Sequence, residues 1–155
     1  MKILKLSAAA AVVLLVVLAI AAPIGPLPGF FIGGTSVPAP PTWPDTSGVH
    51  EIRLRVPGTL PRVVVIWVVD HQGALHVVGA EGSGWVSMLG DGGPVDMRLG
   101  DETYTLKAVR LTDGWQPVLE AYVDKYRPDY PEIVAGFPDM AEAEGQVAVF
   151  RLDRG

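Results

Sequence analysis

Few side chains in this chain stand where chemistry is recognisable. Gly82-Ser83-Gly84 is followed directly by Trp85. Glycines let backbone amides approach a phosphate or a flavin-like ring closely, and a plain loop is the other reading of the same residues. The serine does not sit in a nucleophile elbow, because the G-x-S-x-G pattern needs glycine where Glu81 stands. Arg53, Arg55 and Arg62 cluster in sequence and form either the water face of a strand or an anion seat. His71 and His76 flank a turn and can face each other, but no third ligand lies at close spacing, so no metal site is assigned. Asp91, Asp96 and Asp101 lack the glycine and terminal glutamate of a calcium loop. Asp139, Glu142 and Glu144 read as a solvated face. The absence of cysteine excludes disulfides, thiolate metal sites and attachment through a lipid-modified cysteine. No catalytic residue is assigned.

The elements that must position these groups read mostly as strands. From His50 to Val56, His50, Ile52, Leu54 and Val56 share one face, and Glu51, Arg53 and Arg55 the other, which is the signature of a half-buried strand. Arg62–Asp70 is β-branched almost throughout and reads as one strand buried on both faces. Asp70-His71-Gln72-Gly73 is a turn, with Ala74–Val78 returning as a hairpin partner. Trp85–Leu89 makes a helical turn. Val95–Leu99 and Tyr104–Leu111 follow as strands, and Gln146–Leu152 closes the chain. Val118, Leu119, Tyr122, Val123 and Tyr126 recur at helical spacing, capped by Thr112 or Asp113, with Glu120, Asp124 and Lys125 facing water. Pro128 and Pro131 stop this helix. The expected fold class is α+β, an antiparallel six-stranded barrel or sheet with one main packed helix.

A leader precedes this domain. Lys2 and Lys5 are followed by an uncharged run from Leu6 to Ala22. About 17 apolar residues span roughly 25 Å as a helix, near the lower limit for crossing a bilayer. The preferred reading of residues 1–22 is an uncleaved membrane anchor. Cleavage near Ala21, in an A-x-A context, with secretion of the rest, is the alternative. A buried helix is the third. The two lysines place the N-terminus in the cytoplasm and the domain outside it. Residues 23–48 carry seven prolines and read as a stiff linker holding the domain, residues 49–155, off the bilayer. Phe30, Phe31 and Trp43 suit a membrane interface, although Trp43 could equally pack on the domain. The formal net charge of −5 argues against nucleic-acid binding, because phosphate needs a cationic face.

The order of features over roughly residues 60–152 resembles the split-barrel superfamily of flavin and deazaflavin oxidoreductases, in particular its deazaflavin-dependent nitroreductase-like group. The run comprises an apolar strand, a hairpin, the Gly82–Gly84 loop, Trp85-Val86-Ser87-Met88-Leu89 in place of a W-x-x-N-L turn, a second hairpin, and a helix bearing Tyr122-Val123-Asp124-Lys125-Tyr126. The resemblance implies a split β-barrel binding FMN or a deazaflavin such as F420, with hydride exchanged with a quinone-like or other apolar acceptor. It implies that Arg62 holds the cofactor phosphate, that the Gly82, Ser83 and Gly84 amides touch the cofactor, and that Trp85 walls its ring. It also implies a cofactor cleft between two subunits of a homodimer. Two departures stand out: Met88 replaces the asparagine, and the basic G-R-x-S-G stretch has no match beyond Gly58-Thr59-Leu60-Pro61-Arg62. A cofactor-free barrel that binds an apolar ligand or a protein partner is the alternative function.

Overall fold

The computed structural model describes residues 29–155, so the anchor or signal segment 1–22 and residues 23–28 lie outside the described residues. Among the described residues no helix is long and apolar enough to cross a membrane. The chain runs β1 (Thr35–Ser36), β2 (Glu51–Val56), β3 (Arg62–Trp67), β4 (Val69–His71), β5 (Ala74–Ala80), α1 (Gly84–Leu89), β6 (Gly92–Leu99), β7 (Glu102–Arg110), α2 (Gln116–Tyr126), α3 (Pro131–Val134) and β8 (Val147–Arg154). One curled sheet takes the strand order β3-β2-β6-β7-β8-β5-β4, antiparallel throughout, while β1 adds a short parallel pair to β7.

Eight strands replace the expected six. One addition is β1. The other arises because the expected strand Arg62–Asp70 breaks at Val68, giving β3 and β4. That break shapes the molecule. β3 and β4 stand at opposite ends of the sheet order yet are joined by one residue, so the sheet curls until its ends meet. The Tyr126 hydroxyl secures the junction: it accepts from the Val68 N–H at 2.9 Å and lies 2.7 Å from the Val68 carbonyl and 2.6 Å from that of His50. Lys125, expected to face water, turns inward instead. Its ammonium donates to the carbonyls of Thr46 at 3.0 Å, Val49 at 2.8 Å and Val68 at 2.8 Å. A buried carbonyl without a donor is costly, and the three-donor ammonium satisfies three at once.

Strand alternation separates two cores. In β8, Ala148, Phe150 and Leu152 point into the barrel, where they meet Leu54, Val56, Leu75, Val77 and Met97. Val149 points outward and packs with Val118, Leu119, Tyr122 and Tyr126 of α2. The period of 2 thus lets one strand serve both layers. The predicted helix is present at Gln116–Tyr126, but its N-cap is Trp115, which makes no side-chain cap bond, rather than Thr112 or Asp113.

Residues 29–48 are fastened to the barrel, contrary to the linker expectation. Gly29 exchanges both backbone hydrogen bonds with Val63, at 2.8 and 2.7 Å. The strap then crosses the outer face of β2 and β6, where Arg53 and Arg98 donate to the Ile32 carbonyl, and pairs with β7 through β1 before running on to residue 48. Ile32, Trp43 and Thr46 are buried. Prolines bar this stretch from a long ladder, but side-chain burial needs no ladder. Trp43 packs edge-on to Tyr104 with ring centroids 5.1 Å apart, and Arg154 lies over its face.

Candidate functional site

Three nearby arginines have three different fates. Arg55 is ion-paired with Asp96. Arg53 is held by the strap. Among the described residues, Arg62 has neither an ion pair nor a hydrogen-bond partner. Its guanidinium lies against Gly84, so closely that a Cβ built there would overlap it. Only glycine permits that approach. The first residue of β3 and the first residue of α1 thereby meet across 22 positions of sequence.

Ser83 precedes Gly84 as the N-cap of α1, in extended geometry, yet its hydroxyl caps nothing. The oxygen is buried and has no hydrogen-bond partner among the described residues. An N-cap hydroxyl normally contributes about 1 kcal/mol by bonding an N–H of the first turn, and a buried orphan costs about 1–3 kcal/mol. The unpaired cation therefore lies against the loop that carries this unsatisfied hydroxyl. A phosphate oxygen would satisfy the guanidinium with charge-assisted bonds, so Arg62 over the Gly84 backbone fits the phosphate end of a phosphorylated cofactor. Gly82 is exposed in the same loop.

Trp85 stands elsewhere than expected. Its ring is 7% exposed and lies in the barrel core against Gly79 and, at 5.6 Å between centroids, Phe150. It is on the inner face of α1, packed into the core. Arg62, Ser83 and Gly84 are thus brought together, Gly82 lies at their edge, and Trp85 is turned inward.

A cleft of about 360 Å³ opens between α2, residues 136–140 and the outer face of β5 and β8. Leu119, Tyr122, Phe137, Met140 and Val147 give it apolar walls, and Ala80 forms its border. The Tyr122 ring is stacked against Phe137 with centroids 6.2 Å apart. Burial pushes the Tyr122 phenol far above its ordinary pKa, with the Tyr126 hydroxyl adding to the shift, so it is a neutral donor at every physiological pH. Gly79 touches both the Trp85 ring and this cleft, and Gly84 follows Ala80 by four residues. Phe137 and Met140 carry no periodic signal, so the sequence did not point to this cleft. Among the described residues, no group of three or more histidines, aspartates and glutamates is placed to hold a metal ion. The His71 and His76 rings lie 6.2 Å apart, and burial of His76 lowers its pKa.

No protein-family model matches this chain, and no curated protein matches it in sequence. Solved structures match it in shape. The FAD- and heme-binding protein from Mycobacterium smegmatis superposes with a TM-score of 0.50 at 16% identity, covering 70% of this chain and 62% of that one. The chain therefore spans less than two thirds of that protein's length. HutZ, the heme storage protein from Vibrio cholerae, gives a TM-score of 0.49 at 14% identity, over 68% of this chain and 81% of its own. A NimC/NimA family protein from Clostridium acetobutylicum gives 0.47 at 17% identity, over 66% and 72%. At 16% identity the likeness to the mycobacterial protein is one of fold alone, and with the curled antiparallel sheet it gives this chain a split-barrel fold.

Proposed function

We propose that this chain is a membrane-tethered split barrel that binds a flavin-class cofactor, FMN or a deazaflavin, through a phosphate seat at Arg62, Ser83 and Gly84. One observation carries the reading: the unpartnered Arg62 guanidinium lies on Gly84, in the loop whose Ser83 hydroxyl is buried and bonds nothing. Such a cofactor supplies hydride transfer when bound. The chain's own residues do the rest. Arg62 and Ser83 hold the anion, and Gly84 keeps the guanidinium close to the loop backbone. The Tyr122 cleft, which begins at Ala80, suits a quinone-like apolar acceptor, and its neutral phenol can donate to a carbonyl oxygen. Tethering rests on the apolar run from Leu6 to Ala22, and the two lysines before it favour an outward-facing domain. A reporter fused after Gly155 tests that topology, and activity in the cytoplasm overturns it. Assembly as a homodimer goes with the same reading and is checked by sedimentation equilibrium.

Titration with FMN and with F420, followed by absorbance, tests the seat. A charge-assisted bond contributes about 1.5–3 kcal/mol, so Arg62→Ala should weaken binding roughly 10- to 100-fold. Flat titrations with both cofactors overturn the reading. The Tyr122 cleft favours a second reading, a cofactor-free module for an apolar ligand, because the cleft walls do not include the phosphate seat. Saturable binding of 1,4-naphthoquinone by protein that ignores both flavins would establish it.

A further inference from the structure

The described residues expose few large apolar side chains: Phe30 at 44%, Phe31 at 67%, Leu60 at 71%, Met88 at 39% and Ile133 at 54%. Four of the five lie on or against the segments that meet at the start of β3. Phe30 follows the Gly29–Val63 bridge, which sets it beside Arg62 at the start of β3. Phe31 is the next residue along the strap. Leu60 stands in the hairpin between β2 and β3, three residues from Val63. The Met88 methyl reaches the same hairpin at Gly58. Single exposed apolar residues are ordinary on a folded surface, whereas a contiguous group marks a contact site.

The chain upstream says what meets this rim. The apolar run ends at Ala22, and Gly29 is already fixed to β3. Fully extended, seven residues reach no more than about 25 Å. A domain of this length is roughly 35 Å across. The leash is therefore shorter than the body it holds, and it joins the body at the apolar rim. A free linker of 26 residues would let the barrel range far from a membrane, whereas a strap bonded to Val63 keeps its rim within about 25 Å of the end of the apolar run.

We propose that the rim formed by Phe30, Phe31, Leu60 and Met88 docks into the lipid surface, so that the barrel lies on the bilayer with its β2–β3 hairpin down. Aromatic and aliphatic side chains at this depth partition into the headgroup region. The inference rests on the tethered reading above and adds an orientation to it.

The chain lacks cysteine, so single cysteines can carry a probe in the full-length protein. Phe31→Cys, Leu60→Cys and Glu120→Cys, the last on the exposed face of α2, are labelled with an environment-sensitive nitrobenzoxadiazole. Each is reconstituted into phosphatidylcholine–phosphatidylglycerol vesicles containing nitroxide lipid. Docking predicts blue-shifted, strongly quenched emission at positions 31 and 60, and water-like, unquenched emission at 120. Vesicle-bound protein whose probe at 60 matches that at 120 overturns the docking and leaves the tether standing. Protein that stays in the aqueous fraction overturns both.

Discussion

The two outer faces of this barrel are covered in opposite ways. Over β4, β5 and β8 lies α2, sealed by Val118, Leu119, Tyr122 and Tyr126, and stapled to the seam at Val68 by Lys125 and Tyr126. Over β3, β2 and β6 lies only the strap from Gly29, held by backbone bonds at its ends and by two arginines on one carbonyl between them. The first cover buries its aromatic rings, whereas the second buries Trp43 and displays Phe30 and Phe31. The lesson is that equal attachment to a sheet can serve different ends. The helix closes the fold, whereas the strap leaves apolar surface for something outside it.

The comparison is most sharply broken at the seam. Lys125→Met removes the donor of three carbonyls and should cost about 3 kcal/mol in urea unfolding; a change below 1 kcal/mol would show that water replaces the ammonium freely. Tyr126→Phe orphans the Val68 N–H and should cost about 2 kcal/mol by the same measurement. Next comes the pH response of the helix-covered half. Burial lowers the His76 pKa in the fold, so the unfolded chain holds more protons between the folded pKa and about 6.5. Stability should therefore rise with pH through that window and level off above it, and His76→Gln should flatten the rise. Gly84→Ala should change stability by no more than about 1 kcal/mol. It should still displace the Arg62 guanidinium and weaken FMN or F420, which calorimetry can read separately. The smallest effect is on the strap: Phe31→Ser should alter unfolding by less than about 0.5 kcal/mol. A larger loss would mean that the ring supports the fold rather than an external surface.

How much of this was legible in the sequence depended on whether the signal was local. The alternation of Ile52, Leu54 and Val56 showed in the chain and holds in the barrel, because strand burial has a period of 2. The helix bearing Val118, Leu119, Tyr122 and Tyr126 was legible for the same reason, with its own period. The break at Val68 was not, since Val65-Ile66-Trp67-Val68-Val69 contains no turn residue and the bend is imposed by closure of the sheet. Lys125 was misread because a lysine at a helical position ordinarily faces water, and its partners are carbonyls on distant segments. The burial of Ile32 and Trp43 was not legible because proline density marks a missing ladder and says nothing of burial. At the site, the resemblance grouped Arg62 with the Gly82–Gly84 loop, and no spacing rule would have done so. The inward turn of Trp85 follows from the face of α1 it occupies, which so short an element does not reveal.

The single residue joining the two ends of the sheet has a temporal consequence. As the chain is made, the segment carrying β3 and β4 appears well before Lys125 and Tyr126. Until those two arrive, a strand edge on each side stands ready to pair with any neighbour. The helix landing on Val68 fixes that seam, and the nascent barrel stays an invitation to aggregate until β8, the last strand made, enters between β5 and β7.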